Sequence, residues 1–245
     1  MTDIEAMRLN IGETYMALGR NAPAARTRKT PSAWWCESPF KHPIGNFAVH
    51  FNLSDAALRK VADTANRTPH FRAFVVTGDE PADICERFEA LDLKAKYSFP
   101  GFVWNGNAMP GEEVLVRNIE LDDIGVTAAF IVQNFFWRSP EPIRRALTQL
   151  VGAASSIQEF YSYHDEEGIA AAAVLSVTGG IVGLYNLCVR EDLRTKGLGS
   201  AILGQICRAA EYRGLRLVLQ AEEGLVSWYG KHGFVRVAEL RAYSS

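Results

Sequence analysis

The stretch Arg194-Thr195-Lys196-Gly197-Leu198-Gly199-Ser200 follows the apolar run Ile181–Val189. It precedes Ile202, Leu203, Ile206, Cys207 and Ala210, which are spaced for one face of a helix running from Gly199 to about Arg213. A strand, a glycine-containing loop and a helix are therefore expected in that order. Gly197 and Gly199 let the main chain turn tightly and approach a ligand without a Cβ in the way. The free N–H groups of the helix start, with the positive end of its dipole, form a site for a phosphate or pyrophosphate. Arg194 and Lys196 add charge for further oxygens. The bland alternative is a plain helix-entry loop. A P-loop spacing is absent, and a dinucleotide fingerprint would need a third glycine where Ile202 stands.

Working outward, Ile157–His164 reads as a strand that turns at Asp165-Glu166-Glu167-Gly168 into Ile169–Val177, and Gly179-Gly180 makes a hairpin to Ile181–Val189. Beyond the helix come the strand Arg216–Gln220, the short helix Leu225–Lys231 and the closing strand Phe234–Tyr243. Upstream, Val114–Ile119 is strand-like, and helical patterns run from Asp122 to about Trp137 and over Pro142–Val151. Asn105–Gly111 is the best linker in the chain. The N-terminal half opens with a loosely amphipathic helix, Met1–Gly19. The proline-broken stretch Asn21–Pro43 reads as a loop that pins Trp34 and Trp35 against a core. Strand Asn46–Leu53, helix Asp55–Asn66 capped by Ser54, strand Phe71–Thr77, helix Pro81–Leu91 and strand Lys94–Trp104 complete it. Glu86–Leu93 can be laid on Ser227–Phe234, so the two halves read as related.

The 245 residues carry 26 basic and 28 acidic side chains, a net charge of −2, which disfavours a protein that binds nucleic acid by counterion release. No apolar run is long enough for a membrane span, and the first residues, with Asp3, Glu5 and Glu13, lack the pattern of a signal peptide. Four scattered cysteines and five histidines show no ligand spacing, so no metal site is expected and a reduced, cytoplasmic setting is.

The residues Arg194, Gly197 and Gly199 after a strand, followed by Tyr229-Gly230-Lys231-His232-Gly233-Phe234 after Leu217–Gln220, resemble the GNAT-type N-acetyltransferases. The resemblance covers about Val114 to Ser245. It implies an α/β (α+β) fold with a mixed, mostly antiparallel twisted sheet flanked by helices. It also implies an acetyl-CoA cosubstrate whose pyrophosphate meets the amides of Thr195, Lys196, Gly197, Leu198, Gly199 and Ser200, and whose pantetheine arm pairs with the strand edge at Leu187, Cys188 and Val189. A neutral amine then attacks the thioester, and Tyr229 protonates the departing sulfur. Without that resemblance Tyr229 reads as a core aromatic on a short helix.

A general base is harder to place, because the strand Ile181–Val189 holds no acid. Glu159 and Glu222 are candidates that read equally as surface acids. Tyr185 and Asn186 could line the acceptor pocket or order a water, and Cys188 reads as a small buried hydrophobe rather than an acetyl carrier. In the N-terminal half, Phe51-Asn52-Leu53-Ser54-Asp55-Ala56 has no glycine or base for a pyrophosphate, and Phe88 stands where Tyr229 would be laid. Trp34, Trp35, Phe102 and Trp104 either wall an acceptor site or belong to the core. The expectation is a degenerate GNAT-like lobe over residues 1–110 and a catalytic one over residues 111–245, acting on an amine of a small molecule or peptide. A non-catalytic acyl-CoA-binding or regulatory module is the alternative, as is acetylation of aminoacyl-tRNA or protein.

Overall fold

The structure, a computed structural model, describes residues 1–106, 117–118 and 123–245. It divides into two compact units. The first holds Met1–Phe102, Gln220–Gly224 and Arg236–Ser245, and the second holds Val103–Leu219 and Leu225–Val235. The linker expected at Asn105–Gly111 and most of the strand expected at Val114–Ile119 lie outside the described residues.

The first unit starts with α1 (Asp3–Gly19), whose N-terminus is closed by a reciprocal capping box between Thr2 and Glu5. The expected loop is instead an antiparallel hairpin of β1 (Arg26–Lys29) and β2 (Trp34–Glu37). Trp35 and Cys36 are both buried and Trp34 stacks on His50 with ring centroids 4.2 Å apart, so β2 is fixed by its apolar residues and β1 by its ladder with β2. Arg28 and Lys29 lie over the two indoles. Then follow β3 (Phe47–Val49), α2 (Asp55–Arg67), β4 (Arg72–Val76), α3 (Ile84–Glu89) and β5 (Lys94–Trp104). Ser54 caps α2 by accepting from the Ala57 N–H at 3.4 Å.

The second unit contains β6 (Arg117–Asn118), α4 (Ile124–Phe136), α5 (Glu141–Ala153), β7 (Gln158–Asp165), β8 (Gly168–Thr178) and β9 (Ile181–Val189). After these come α6 (Leu198–Tyr212), β10 (Arg216–Gln220), α7 (Val226–Lys231) and the start of β11 (Phe234–Ser244). Its strands are ordered β6-β7-β8-β9-β10, and those of the first unit β1-β2-β3-β4-β11-β5. β3–β4 and β9–β10 are parallel; β1–β2, β2–β3, β4–β11, β6–β7, β7–β8 and β8–β9 are antiparallel.

Both halves thus repeat one order: strand, helix, parallel strand, short helix, strand. The boundary is not one cut in the chain. β11 follows α7 of the second unit, yet its main-chain groups find partners on β4, in the register Leu240↔Val76 to Tyr243↔Ala73. All four cysteines are free thiols, and among the described residues no helix is long and apolar enough to cross a membrane.

One buried charge holds the first unit together. The Asp79 carboxylate accepts from the N–H groups of Phe51 (2.9 Å) and Val76 (2.8 Å) and pairs with Arg8, which also reaches the Phe51 carbonyl. Burial pushes this carboxyl up to about 6 against the pull of those donors. Replacing Asp79 by alanine strands a half-buried guanidinium and two buried amides, and is expected to cost about 3–5 kcal/mol in urea unfolding at pH 7.

Candidate functional site

The site grows from an irregularity in β9. Its register with β8 pairs Val174 with Tyr185 but Ala172 with Cys188, so β9 carries one extra residue between these points. Asn186 absorbs it with φ +53°. Asparagine tolerates this left-handed backbone better than most residues with a Cβ. The parallel register with β10 ends at Leu184↔Leu219, whereas β9 runs on to Val189. Past the bulge, β9 is therefore paired on its β8 side alone among the described residues.

Alternation then sorts the three strand residues. The Arg190 N–H donates to the Ala170 carbonyl of β8 at 2.8 Å. In an antiparallel ladder the main-chain groups of alternate residues face the same neighbour, so those of Cys188 face β8 and those of Leu187 and Val189 face the open edge. Cys188 is buried, and burial pushes its thiol up to about 12. Such a thiol is a packed hydrophobe, not a nucleophile.

Beyond β9, a helical turn (Glu191–Leu193) leads into the glycine loop. Thr195 takes φ +63° and Gly197 takes φ +87°, and α6 starts directly after. No side chain caps this helix, and its first internal bond is Ala201 N–H to the Gly197 carbonyl at 3.0 Å. The amides of Leu198, Gly199 and Ser200 thus carry the dipole's positive end without a side-chain acceptor. A Cβ on Gly197 would meet nothing within 4 Å, so space is open beside the residue that starts the helix. Gly199 differs, since a Cβ there would only rest against Val189 (3.7 Å) and Trp228 (3.8 Å). The loop is exposed at Lys196, while Leu198, Gly199 and Ser200 are half-buried.

Two charged residues have partners within the unit. The Arg194 Nε donates to the Val189 carbonyl (3.0 Å) and its Nη2 to Asn134 of α4 (3.1 Å), so the side chain ties the loop to its own unit. Glu159 on β7 is gripped at both oxygens by Arg213 (2.8 Å each) and by the Tyr161 hydroxyl (2.9 Å). The Arg213 hydrogen bond holds the Glu159 carboxyl below the usual range and makes it a weak base. Glu222 is exposed and counted with the first unit. The structure brings neither acid to the β9 edge within the second unit.

Tyr229 sits on α7 with 6% of its surface exposed, edge-on to Trp228 (4.7 Å) and Phe234 (5.5 Å). Burial pushes its hydroxyl up to about 12, which keeps the phenol protonated. Trp228, which sequence reading passed over, touches Gly199 on one side and Tyr229 on the other, and so joins α7 to the loop. Asn134 was equally invisible, lying far from Arg194 in the chain. The equivalent place in the first unit is closed: Ser54 caps α2, and Phe88 is fully buried between Phe51 and Tyr243. Trp35, Phe102 and Trp104 are buried, and Trp34 stacks on His50.

Residues 156–236 match the acetyltransferase (GNAT) domain family. The uncharacterised N-acetyltransferase YobR of Bacillus subtilis is 37% identical over 84 residues, 33% of this chain and 34% of that protein, so the match spans about a third of its length. A GCN5-related N-acetyltransferase from Kribbella flavida superposes with a TM-score of 0.67 at 13% identity, over 99% of this chain and 96% of that one. A conserved protein of unknown function from Staphylococcus epidermidis gives 0.65 at 12% identity, over 90% and 94%. The structural likeness shows a common fold across nearly the whole chain. The bulged strand, the glycine loop, α6 and α7 all lie within residues 156–236, the segment that matches the acetyltransferase (GNAT) domain family.

Proposed function

We propose that the second unit binds acetyl-CoA and transfers its acetyl group to an amine of a small molecule or peptide. The observation that carries this reading is the first turn of α6, which no side chain among the described residues caps, directly after a strand whose ladder with β10 ends at Leu184. The amides of Leu198, Gly199 and Ser200, with Lys196 beside them, suit a diphosphate. The Leu187 and Val189 main chain suits the amide groups of a pantetheine arm, as an added strand would. The cosubstrate supplies the thioester, and the chain's part is to hold it beside the acceptor and remove the entropy of their encounter.

Tyr229 is the proton source in this reading. A phenol raised to about 12 is a poor donor to a solvated thiolate, whose acid sits near 8.5. Loss of water from the closed site would also disfavour the thiolate's charge and narrow that gap. Glu159 is not the base, because Arg213 occupies both its oxygens. The base is then a water ordered near Tyr185 and Asn186, or the amine arrives neutral.

A second reading, a non-catalytic acyl-CoA-binding unit, draws on the acid-free β9 and the locked Glu159. Release of CoA on addition of members of an amine panel separates the two: saturable binding with no amine-dependent release would leave only the binder. Aminoacyl-tRNA or a protein amine as acceptor would show as transfer to those macromolecules and none to the panel.

Gly197→Val forces a branched side chain into a backbone with φ +87°, a strain of about 1–2 kcal/mol, and fills the open space beside that residue. Calorimetry should show acetyl-CoA affinity falling more than about tenfold. Tyr229→Phe should lower kcat by about 10²-fold with acetyl-CoA affinity nearly unchanged, since only the proton is removed. Full turnover in that variant would remove Tyr229 from the reaction.

A further inference from the structure

Arg190, the residue directly after β9, uses its guanidinium to join two separate segments. Its Nη1 and Nη2 donate to the two oxygens of Asp165, at the end of β7, at 3.0 and 2.6 Å. Its Nε donates to Asp192 at 2.8 Å, and Nη2 also lies 3.2 Å from Glu167 in the β7–β8 turn. A single cation thus faces three carboxylates, in a forked geometry that lysine cannot copy. The side chains of Arg190 and Asp165 are 22% and 27% exposed, so this bidentate pair is partly shielded, whereas Asp192 and Glu167 are exposed.

The location gives the cluster its meaning. Asp192 belongs to the helical turn that leads straight into Arg194, Thr195 and Gly197. That loop is held on its far side by Arg194, through Val189 and Asn134. Its entrance is held by Arg190. The hydrogen bonds from Arg190 keep Asp165 and Asp192 below the usual carboxylate range, so both are charged at neutral pH. Glu191 adds a further acid to the same turn. A diphosphate at the α6 amides would therefore approach a chain segment rich in negative charge, and the screening length of about 8 Å at physiological salt does not hide neighbouring residues.

We propose that Arg190 is a positioning residue for diphosphate binding, which locks the entrance of the glycine loop to the β7–β8 turn and cancels the carboxylates that would otherwise repel the ligand. The inference rests on the acetyl-CoA reading above. It makes no contact claim between Arg190 and the ligand; the residue acts through Asp165, Glu167 and Asp192.

The test compares acetyl-CoA with acetyl-pantetheine, which lacks the diphosphate, by calorimetry on the wild-type protein, Arg190→Met, Arg190→Lys and the double variant Arg190→Met/Asp192→Asn. Arg190→Met should lose about tenfold or more in acetyl-CoA affinity while acetyl-pantetheine binding stays the same. Arg190→Lys should lie between, having charge without the fork. The double variant should regain part of the loss, because one repelling charge is gone. An acetyl-CoA affinity within about twofold of wild type in Arg190→Met would overturn the proposal, as would equal losses for both donors, which a general packing role predicts. If Arg190→Met does not fold, Arg190→Lys is judged by the same ratio between donors. A wild-type protein that fails to bind acetyl-CoA refutes the site itself, and this inference with it.

Discussion

Among the described residues, no side chain caps the three main-chain amides at the start of α6, and the strand that leads to them is bulged. Ser54 closes α2 and Thr2 closes α1, whereas the N-cap residues of α3, α4, α5, α6 and α7 make no side-chain cap bond; α6 differs from these in its left-handed glycine. At α6 the N-cap is Gly197 in a left-handed backbone, which can offer no such oxygen. The deficit is tolerated because the loop is exposed and water can reach it, and it becomes useful when an anion replaces the water. The bulge in β9 provides the complement: by breaking the register it parts the strand from β10 just where the loop begins. A polar helix start and a strand stretch without its β10 partner then follow one another along the chain.

The charged and ionisable groups near this feature divide by what already satisfies them. Arg194 and Glu159 look from their types like a phosphate ligand and a base, yet both are engaged within the unit, and Arg190 is engaged three times over. Tyr229 and Cys188 are shifted by one common cause, the loss of water on burial, with opposite consequences for chemistry. The phenol is kept in the form that can give a proton, whereas the thiol is kept from the form that could attack.

The two units share one order of elements but differ in the residues at corresponding places. β3-α2-β4-α3-β5 and β9-α6-β10-α7-β11 have the same sequence of elements and the same parallel step, but the first has a capped helix and a phenylalanine in place of the tyrosine. What it keeps is packing: Phe88, Phe51 and Tyr243 fill a common core. Tyr243 comes from β11, beyond the second unit's last helix, so the chain crosses back and the first unit is completed by residues from the far end of the sequence. Ala221 does the same through its N–H to the Pro100 carbonyl at 3.1 Å.

Periodicity was enough to define β5, β9 and β10 to the residue and to place α2, α6 and α7 within one, because each carries a regular apolar rhythm bounded by a turn or a cap. The glycine loop was legible for the same reason: its chemistry lies in consecutive main-chain groups, which a local sequence specifies. The β1–β2 hairpin was not, since Arg26-Thr27-Arg28-Lys29 has no apolar alternation and is a strand only through its partner. Nor could the sequence assign Arg194 to Asn134, Glu159 to Arg213, or Arg190 to Asp165, because ion pairs and hydrogen bonds between side chains are set by which elements meet. Charge and type are written along the chain; whether a charge is still available to a ligand depends on contacts that form only when distant segments pack.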